Sequence, residues 1–71
     1  MAEDIRVRFG RRLRELRHRR GWTQEETAEK LGLDRSYLAD VERGNRNISL
    51  VNLDVIALGF DLTLSRLLSG L

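Results

Sequence analysis

The stretch that decides the fold is Gln24–Arg43, QEETAEKLGLDRSYLADVER. Ala28 is small enough for two helices to cross closely at its position, and Gly32 can adopt the positive φ angle that ends a helix. The apolar residues around this turn are spaced to pack between the two helices; they are Leu31, Leu33, Leu38 and Val41. The stretch therefore predicts a helix-turn-helix over residues 24–43, an arrangement that reads DNA.

The length and composition predict one small domain over residues 1–71. A chain of this size buries only about 60% of the surface that its unfolded form exposes. It has no cysteine, and we expect no metal or cofactor, so helix packing and a second copy of the chain would have to supply stability. No apolar run approaches the roughly 18 residues of a membrane span, and the N-terminus lacks the apolar core of a signal peptide. We therefore expect a cytoplasmic protein with no membrane partner.

The charge of the chain is unevenly distributed. Residues 1–20 hold eight arginines against three acidic side chains, whereas the rest of the chain holds five basic and eight acidic side chains. Arginine suits bidentate contacts with phosphate or guanine. A solvated helix face would explain an isolated arginine-rich helix equally well. Beside a helix-turn-helix, however, we interpret the basic segment as contacting phosphates.

Residue spacing predicts an all-α fold of five helices, because proline is absent and apolar residues recur at helical intervals. The first helix is predicted from about Glu3 to Arg19, with an apolar stripe that comprises Ile5, Phe9, Leu13 and Leu16. Four N-cap residues are predicted to begin the next helices: Thr23 (in a capping box with Glu26), Asp34, Ser49 and Thr63. In the fourth helix, apolar residues recur at helical spacing; they are Leu50, Leu53, Ile56, Ala57 and Phe60.

The last two helices, about residues 49–69, carry more apolar side chains than a small core can absorb. This excess predicts a dimerisation surface in that region. The leucines that we assign to it are Leu58, Leu62, Leu64, Leu68 and Leu71. Leu67, by contrast, is expected to pack inward.

The beginning of the third helix is predicted to read base edges in the major groove. Arg35, Ser36 and Tyr37 occupy its first three positions, and Arg46 in the following loop is a further candidate. Arginine can hold guanine O6 and N7 with two parallel hydrogen bonds. The alternative is an exposed helix start without a partner. Asp40, one turn further on, would either accept from cytosine or repel phosphate.

A second set of polar residues is predicted to contact the DNA backbone. Gln24, the first residue of the second helix, can direct its side chain and main-chain N–H at a phosphate, helped by the helix dipole. The remaining candidates lie at a helix cap or in the loop after the third helix; they are Thr23, Arg43, Asn45, Asn47 and Ser49. These contacts would fix the protein's position without reading sequence.

An enzyme is not indicated. The single histidine, His18, lies within an arginine run and has no catalytic partner at a recognisable spacing. Glu25, Glu26 and Glu29 are typical of a solvated helix face rather than a metal site. We therefore expect no catalytic residues.

The stretch LRELRHRRGWTQEETAEKLGLDRSYLADVERGNRNISLVNLDVIA, residues 13–57, resembles the lambda-repressor-like (XRE-type) helix-turn-helix family. Within it, RSYLADVERGNRNISLVNL is most similar to the controller proteins of restriction-modification systems. The resemblance implies a five-helix dimeric transcription regulator that binds a palindromic operator in double-stranded DNA. It also implies an ion pair between Arg17 and Glu42, phosphate contact by Gln24, and base contact by Arg35, Ser36, Tyr37 and Arg46.

Two features depart from the family pattern. Thr27 stands where an apolar residue is usual, which predicts a less tightly held second helix. Gly59 would fall inside the fourth helix and Asp61 where a capping glycine is usual; we favour the longer helix, with Asp61 in a left-handed conformation.

The sequence therefore predicts a sequence-specific regulator of transcription, most similar to a restriction-modification controller. The alternatives are a phage-type repressor or an antitoxin-type helix-turn-helix protein that acts through a protein partner. RNA polymerase is a further candidate partner of a controller.

Overall fold

The computed structural model describes residues 3–71, so residues 1–2 of the predicted domain lie outside it. Its five α-helices are α1 Ile5–Arg19, α2 Gln24–Leu31, α3 Arg35–Glu42, α4 Leu50–Gly59 and α5 Leu64–Leu67. No β-strand occurs in this part of the chain. The all-α prediction and the central helix-turn-helix of α2 and α3 are therefore confirmed.

Side-chain caps determine where the helices begin. The Thr23 hydroxyl accepts from Glu26 N at 3.0 Å while the Glu26 carboxylate accepts from Thr23 N at 2.9 Å, which completes the predicted capping box. The other predicted caps also accept from main-chain N–H groups; they are Asp34, Ser49 and Thr63. The first helix begins at Ile5 rather than Glu3, because Asp4 is its N-cap.

The helix ends follow the predicted backbone conformations. Gly32 ends α2 with a φ angle of 69°. The fourth helix includes Gly59, and Asp61 beyond it has a φ angle of 57°, so the longer helix is confirmed. A Cβ atom at Gly59 would overlap the Leu31 side chain. A larger residue at this position would therefore require the Leu31 side chain to move, because α4 packs closely on α2 there.

The core lies where α1 packs on α3, α2 on α3 and α4, and α4 on α5. Its fully buried apolar side chains are Leu13, Leu38, Ile56, Phe60 and Leu67. Thr27 is also fully buried, and its hydroxyl donates to the Thr23 carbonyl at 2.8 Å. Because this hydrogen bond satisfies the hydroxyl, α2 remains packed against the core despite the polar residue.

Two residues of the predicted apolar stripes are exposed. Leu50 is 72% exposed and Ile5 is 51% exposed. Each is the first residue of its helix. Helical spacing gives the direction of a side chain around the helix axis, but it does not show how far the core extends along that axis. The first residue of each stripe is exposed for this reason, although both stripes lie on the predicted helices.

Gly10 is where α1 comes closest to the end of α3. A Cβ atom at this position would lie 2.5 Å from the Glu42 carbonyl oxygen and 2.7 Å from that of Val41. Both are main-chain atoms, which cannot rotate away as a side chain can. The sequence analysis did not identify this contact, because a glycine within a helix gives no sign of which backbone lies against it.

We expect Gly10→Ala to lower the free energy of unfolding by about 1–3 kcal/mol, as overpacking of a core does. Alanine favours a helix by about 1 kcal/mol over glycine, so a net loss would show that the clash outweighs this gain. Urea unfolding followed by circular dichroism is the measurement. Glu29→Ala on the exposed face of α2 is the control and should stay within about 0.5 kcal/mol of wild type. A Gly10→Ala variant that is more stable than wild type by about 1 kcal/mol, the full helix-propensity gain, would contradict the close contact.

Candidate nucleic-acid interface

The polar side chains at the start of α3 lie beside the start of α2. Gln24, Arg35, Ser36 and Arg43 line one shallow polar depression of about 340 Å³ together with Ala39. Arg35 and Ser36 are exposed, and among residues 3–71 the Arg35 side chain has no hydrogen bond or ion pair. The structure thus brings two predicted base readers next to two predicted backbone contacts.

Tyr37, in the first turn of α3, and Arg46, in the loop after α3, form a stacked pair. The Arg46 guanidinium lies 5.2 Å from the centre of the Tyr37 ring, within the range of a cation–π interaction. Tyr37 is half-buried against the core, and its hydroxyl accepts from Asn52 Nδ2 at 3.0 Å. Asn52, on α4, therefore fixes the ring on which Arg46 rests, a role that the sequence analysis missed.

Asp40 lies between two of the candidate arginines. Its carboxylate accepts from Arg43 Nη2, and it pairs with Arg46 Nε at 3.4 Å. All three side chains are partly open to solvent. Asp40 was expected either to accept from cytosine or to repel phosphate, and the structure shows in addition that it pairs with two predicted DNA-binding arginines.

Glu42 connects α1, α2 and α3 from a fully buried position. Its carboxylate accepts from Arg17 Nε at 2.6 Å and Arg17 Nη2 at 3.0 Å, the ion pair that the resemblance implies. Gln24 Nε2 donates to Glu42 Oε1 at 3.2 Å, and Arg14 Nε lies 3.6 Å from that oxygen. The hydrogen bond to the buried Glu42 carboxylate thus fixes the orientation of the Gln24 side chain.

The same contacts govern the ionisation of Glu42. Burial removes water from the carboxylate and by itself raises the pKa. Hydrogen bonds from Arg17 and Gln24, together with the charges of Arg17 and Arg14, outweigh this effect and lower the pKa of Glu42 below its ordinary value. The carboxylate therefore stays ionised at neutral pH and remains an acceptor for both side chains.

The remaining predicted backbone contacts lie at helix caps and in the loop between α3 and α4. Thr23 and Ser49 use their hydroxyls to cap α2 and α4. Asn45 and Asn47 are exposed in the loop, with the main-chain N–H of Asn45 donating to the Asp40 carbonyl at 2.9 Å. The asparagine side chains are open to solvent on the loop that carries Arg46.

The arginines of the basic segment, residues 1–20, are involved in contacts within the chain. All eight of these arginines contact groups of the same chain. Carboxylates pair with Arg6, Arg11, Arg14, Arg17 and Arg19, and main-chain carbonyls of α5 and the helix ends accept from Arg8, Arg12 and Arg20. Arg12, Arg17 and Arg20 thus join the first helix to α5, to α3 and to the end of α4. Phosphate contact by this segment stays a prediction.

The predicted dimerisation leucines occupy two kinds of position. Leu58 is 70% exposed on α4. The others are half-buried and pack against the core; they are Leu62, Leu64, Leu68 and Leu71. Val51 is 71% exposed and lies two helical turns before Leu58, on the same side of α4, next to the exposed Leu50. The largest exposed apolar side chains in the described residues are thus concentrated on α4.

Within residues 3–71, no helix combines the length and the apolar character that crossing a membrane requires. No three His, Cys, Asp or Glu side chains in that part of the chain come together as a metal ion would require. The polar surface around α3, where Arg35 and Ser36 lie beside Gln24 and Arg43, is the candidate functional site.

The chain matches known proteins along most of its length. The sequence pattern described as a helix-turn-helix domain covers residues 8–68. Control protein C.MunI of Mycoplasma sp. is 45% identical over 69 residues, 96% of this chain and 93% of the relative. The crystal structure of the restriction-modification controller protein C.AhdI from Aeromonas hydrophila is 52% identical, with a TM-score of 0.83 over 87% of this chain and 94% of the other.

A DNA complex is also among the similar structures. SinR, a master regulator for biofilm formation that was crystallised in complex with DNA, is 32% identical to this chain. Its TM-score is 0.79, over 86% of this chain and 98% of the SinR chain. The arrangement of helices described above is therefore shared with a protein that holds DNA in its crystal.

Proposed function

Because this chain belongs to the helix-turn-helix domain family of DNA-binding transcription regulators, we propose that it is the controller protein of a restriction-modification system. It would bind a palindromic operator as a homodimer. The family resemblance seen in the sequence is confirmed by the controllers among its relatives. The observation that carries the proposal is the exposed start of α3, where Arg35 and Ser36 stand beside Gln24 and Arg43.

In the proposed complex, α3 lies in the major groove and its first residues contact base edges. Arg35 is exposed and unpaired within residues 3–71, so it can form two hydrogen bonds to a guanine without first breaking a contact in the protein. Ser36 is short and tolerates several bases. Tyr37 presents its ring edge to a thymine methyl, and Arg46 reaches a base edge from the loop.

Backbone contacts would fix the position of α3 in the groove. Gln24 stands at the N-terminus of α2, where the helix dipole and free main-chain N–H groups attract a phosphate. The other proposed contacts lie at the caps and in the α3–α4 loop: Thr23, Arg43, Asn45, Asn47 and Ser49. Phosphate contacts of this kind supply affinity and register rather than sequence choice.

The exposed face of α4 supports the proposed dimer. A two-fold interface uses the same patch on both copies, and an apolar patch of Leu50, Val51 and Leu58 is suited to meet its own copy. The half-buried leucines of the C-terminal region would extend the interface around this patch; they are Leu62, Leu64, Leu68 and Leu71. Two recognition helices would then face successive major grooves.

The rest of the proposal follows from this role. The protein would act with its DNA in the cytoplasm and without catalysis, and RNA polymerase would be the partner if binding activates transcription.

A phage-type repressor is the second candidate function, because an immunity repressor of Bacillus phage phi105 is 48% identical over 68% of this chain. Genes for a methyltransferase and an endonuclease beside the gene for this protein would distinguish a controller from a phage-type repressor, because they are expected only for a controller.

A gel-shift titration with DNA from upstream of the protein's own gene tests the proposal directly. We expect one specific complex at nanomolar protein that persists in excess competitor DNA, as is typical of specific binding. A duplex with the same composition in scrambled order is the control. Equal affinity for the two duplexes would contradict the proposed function.

We expect Arg35→Ala to weaken specific binding by about 1–3 kcal/mol, because a bidentate guanine contact is lost. Binding to the scrambled duplex should change little, since the phosphate contacts persist. Fluorescence anisotropy on both duplexes is the measurement. Arg19→Ala, which removes an exposed arginine from α1, is the matched control and should leave both affinities unchanged. Equal losses on the two duplexes would show that Arg35 contacts only the backbone.

A further inference from the structure

Asp40 is the only acidic side chain that contacts two of the proposed DNA-binding arginines within residues 3–71. It accepts from Arg43 Nη2 and lies 3.4 Å from Arg46 Nε. The exposed fractions of the three side chains are 29% for Asp40, 57% for Arg43 and 50% for Arg46. Exposed ion pairs of this kind contribute little to stability. We therefore expect the arrangement to affect how this surface binds charged groups such as DNA phosphates, rather than how stable the fold is.

Asp40 lowers the positive charge of this surface. Two guanidinium groups share one carboxylate, so the cluster carries one net positive charge instead of two. Binding to DNA of any sequence depends on the number of phosphates that basic groups neutralise, and this number sets the salt dependence. A carboxylate beside the two arginines reduces this part of the binding free energy.

Asp40 also restricts the position of Arg46. The guanidinium is held between the Asp40 carboxylate and the face of the Tyr37 ring, and Asn52 Nδ2 donates to the Tyr37 hydroxyl at 3.0 Å. A side chain that is already ordered loses less entropy when it binds. Arg46 is therefore prepared for one contact geometry, and it is less available to phosphates at other positions.

We propose that Asp40 is a specificity-determining residue, which weakens binding to non-operator DNA by neutralising Arg43 and Arg46 while it orients Arg46 for its operator contact. This inference rests on the proposed function. It assigns to Asp40 a positioning role through the two arginines rather than a contact with a base.

The test uses Asp40→Asn, which keeps the size of the side chain and removes its charge. Binding is measured by fluorescence anisotropy on two duplexes: the upstream duplex that the wild type selects and its scrambled counterpart. We expect affinity for the scrambled duplex to rise about threefold to tenfold, and affinity for the selected duplex to change by less than threefold. The slope of log affinity against log salt on the scrambled duplex should steepen by about one.

Two further variants separate specificity from net charge. Glu15→Gln removes another carboxylate that pairs with an arginine, Arg19 on α1, and should leave the ratio of the two affinities unchanged. Asp40→Glu retains the charge and should keep a ratio near that of wild type. Circular dichroism melting confirms that each variant is folded.

The outcomes distinguish the inference from the proposed function. An unchanged affinity ratio in Asp40→Asn, or the same change in Glu15→Gln, would overturn the role of Asp40 while the regulator remains sequence-specific. A wild-type protein that does not prefer the upstream duplex would overturn the proposed function, and the role of Asp40 with it.

Discussion

Glu42→Ala is expected to lower the free energy of unfolding by about 3–5 kcal/mol, the range typical of breaking a buried ion pair. Arg17 would keep its charge in a position where its side chain is only 11% exposed. Its remaining hydrogen bond, from Nη1 to the Trp22 carbonyl at 3.0 Å, does not neutralise that charge. For a small domain of marginal stability, this loss approaches the whole folding free energy.

An exposed ion pair on α1, the helix that carries Arg17, provides the control. Glu15 and Arg19 lie 3.6 Å apart, and both side chains are more than half exposed. Glu15→Ala should therefore cost less than about 1 kcal/mol. Urea unfolding monitored by circular dichroism measures both variants.

A double variant distinguishes the charge from the packing. In Arg17→Met with Glu42→Leu, both charges are replaced by apolar side chains, which is often close to neutral for a buried pair. We expect the double variant to be more stable than Glu42→Ala. A melting temperature of Glu42→Ala within a degree or two of wild type would contradict the buried ion pair.

The fold was largely predictable from local signals. Each N-cap from Thr23 to Thr63 is a short-range pattern of a polar side chain and the N–H groups that follow it, so it is visible in the sequence. Gly32 and Asp61 were predictable for the same reason, because a single residue must adopt the left-handed conformation. By contrast, the contact between Gly10 and α3 depends on residues more than 30 positions away in the sequence.

The sequence proposes residues for the candidate site, but it does not show the contacts among them. The first turn of α3 identifies Arg35 and Ser36 by position alone. The pairing of Asp40 with Arg43 and Arg46, and the support of Tyr37 by Asn52, depend on the path of the α3–α4 loop. Charge along the chain likewise does not show which arginines of the basic segment pair within the fold.

Leu58→Glu is expected to raise the dissociation constant of the proposed dimer at least about 100-fold, equal to 2.7 kcal/mol or more. Leu58 is 70% exposed in the single chain, so a charge there does not disturb the core. In a two-fold interface the substitution appears on both copies. Each copy would bury an unpaired carboxylate against apolar side chains, at a cost of several kcal/mol.

The loss of the dimer should have a larger effect on operator binding than the loss of a single base contact. A palindrome holds two recognition helices about 34 Å apart, and linking them makes the second half-site contact intramolecular. A monomer has only one half-site, so Leu58→Glu should bind the operator weakly and with a steep dependence on protein concentration. Leu64→Glu should act in the same direction but also lower stability, because Leu64 packs against the core.

Analytical ultracentrifugation at micromolar protein, beside an operator titration, measures both effects. His18→Glu adds a similar charge to an exposed position of α1 and should leave dimerisation and operator affinity near wild type. A dimer that survives Leu58→Glu unchanged would place the interface away from this face of α4. A wild type that is monomeric at tens of micromolar yet binds the operator at full affinity would contradict the dimer itself, because a single recognition helix would then supply all the binding free energy.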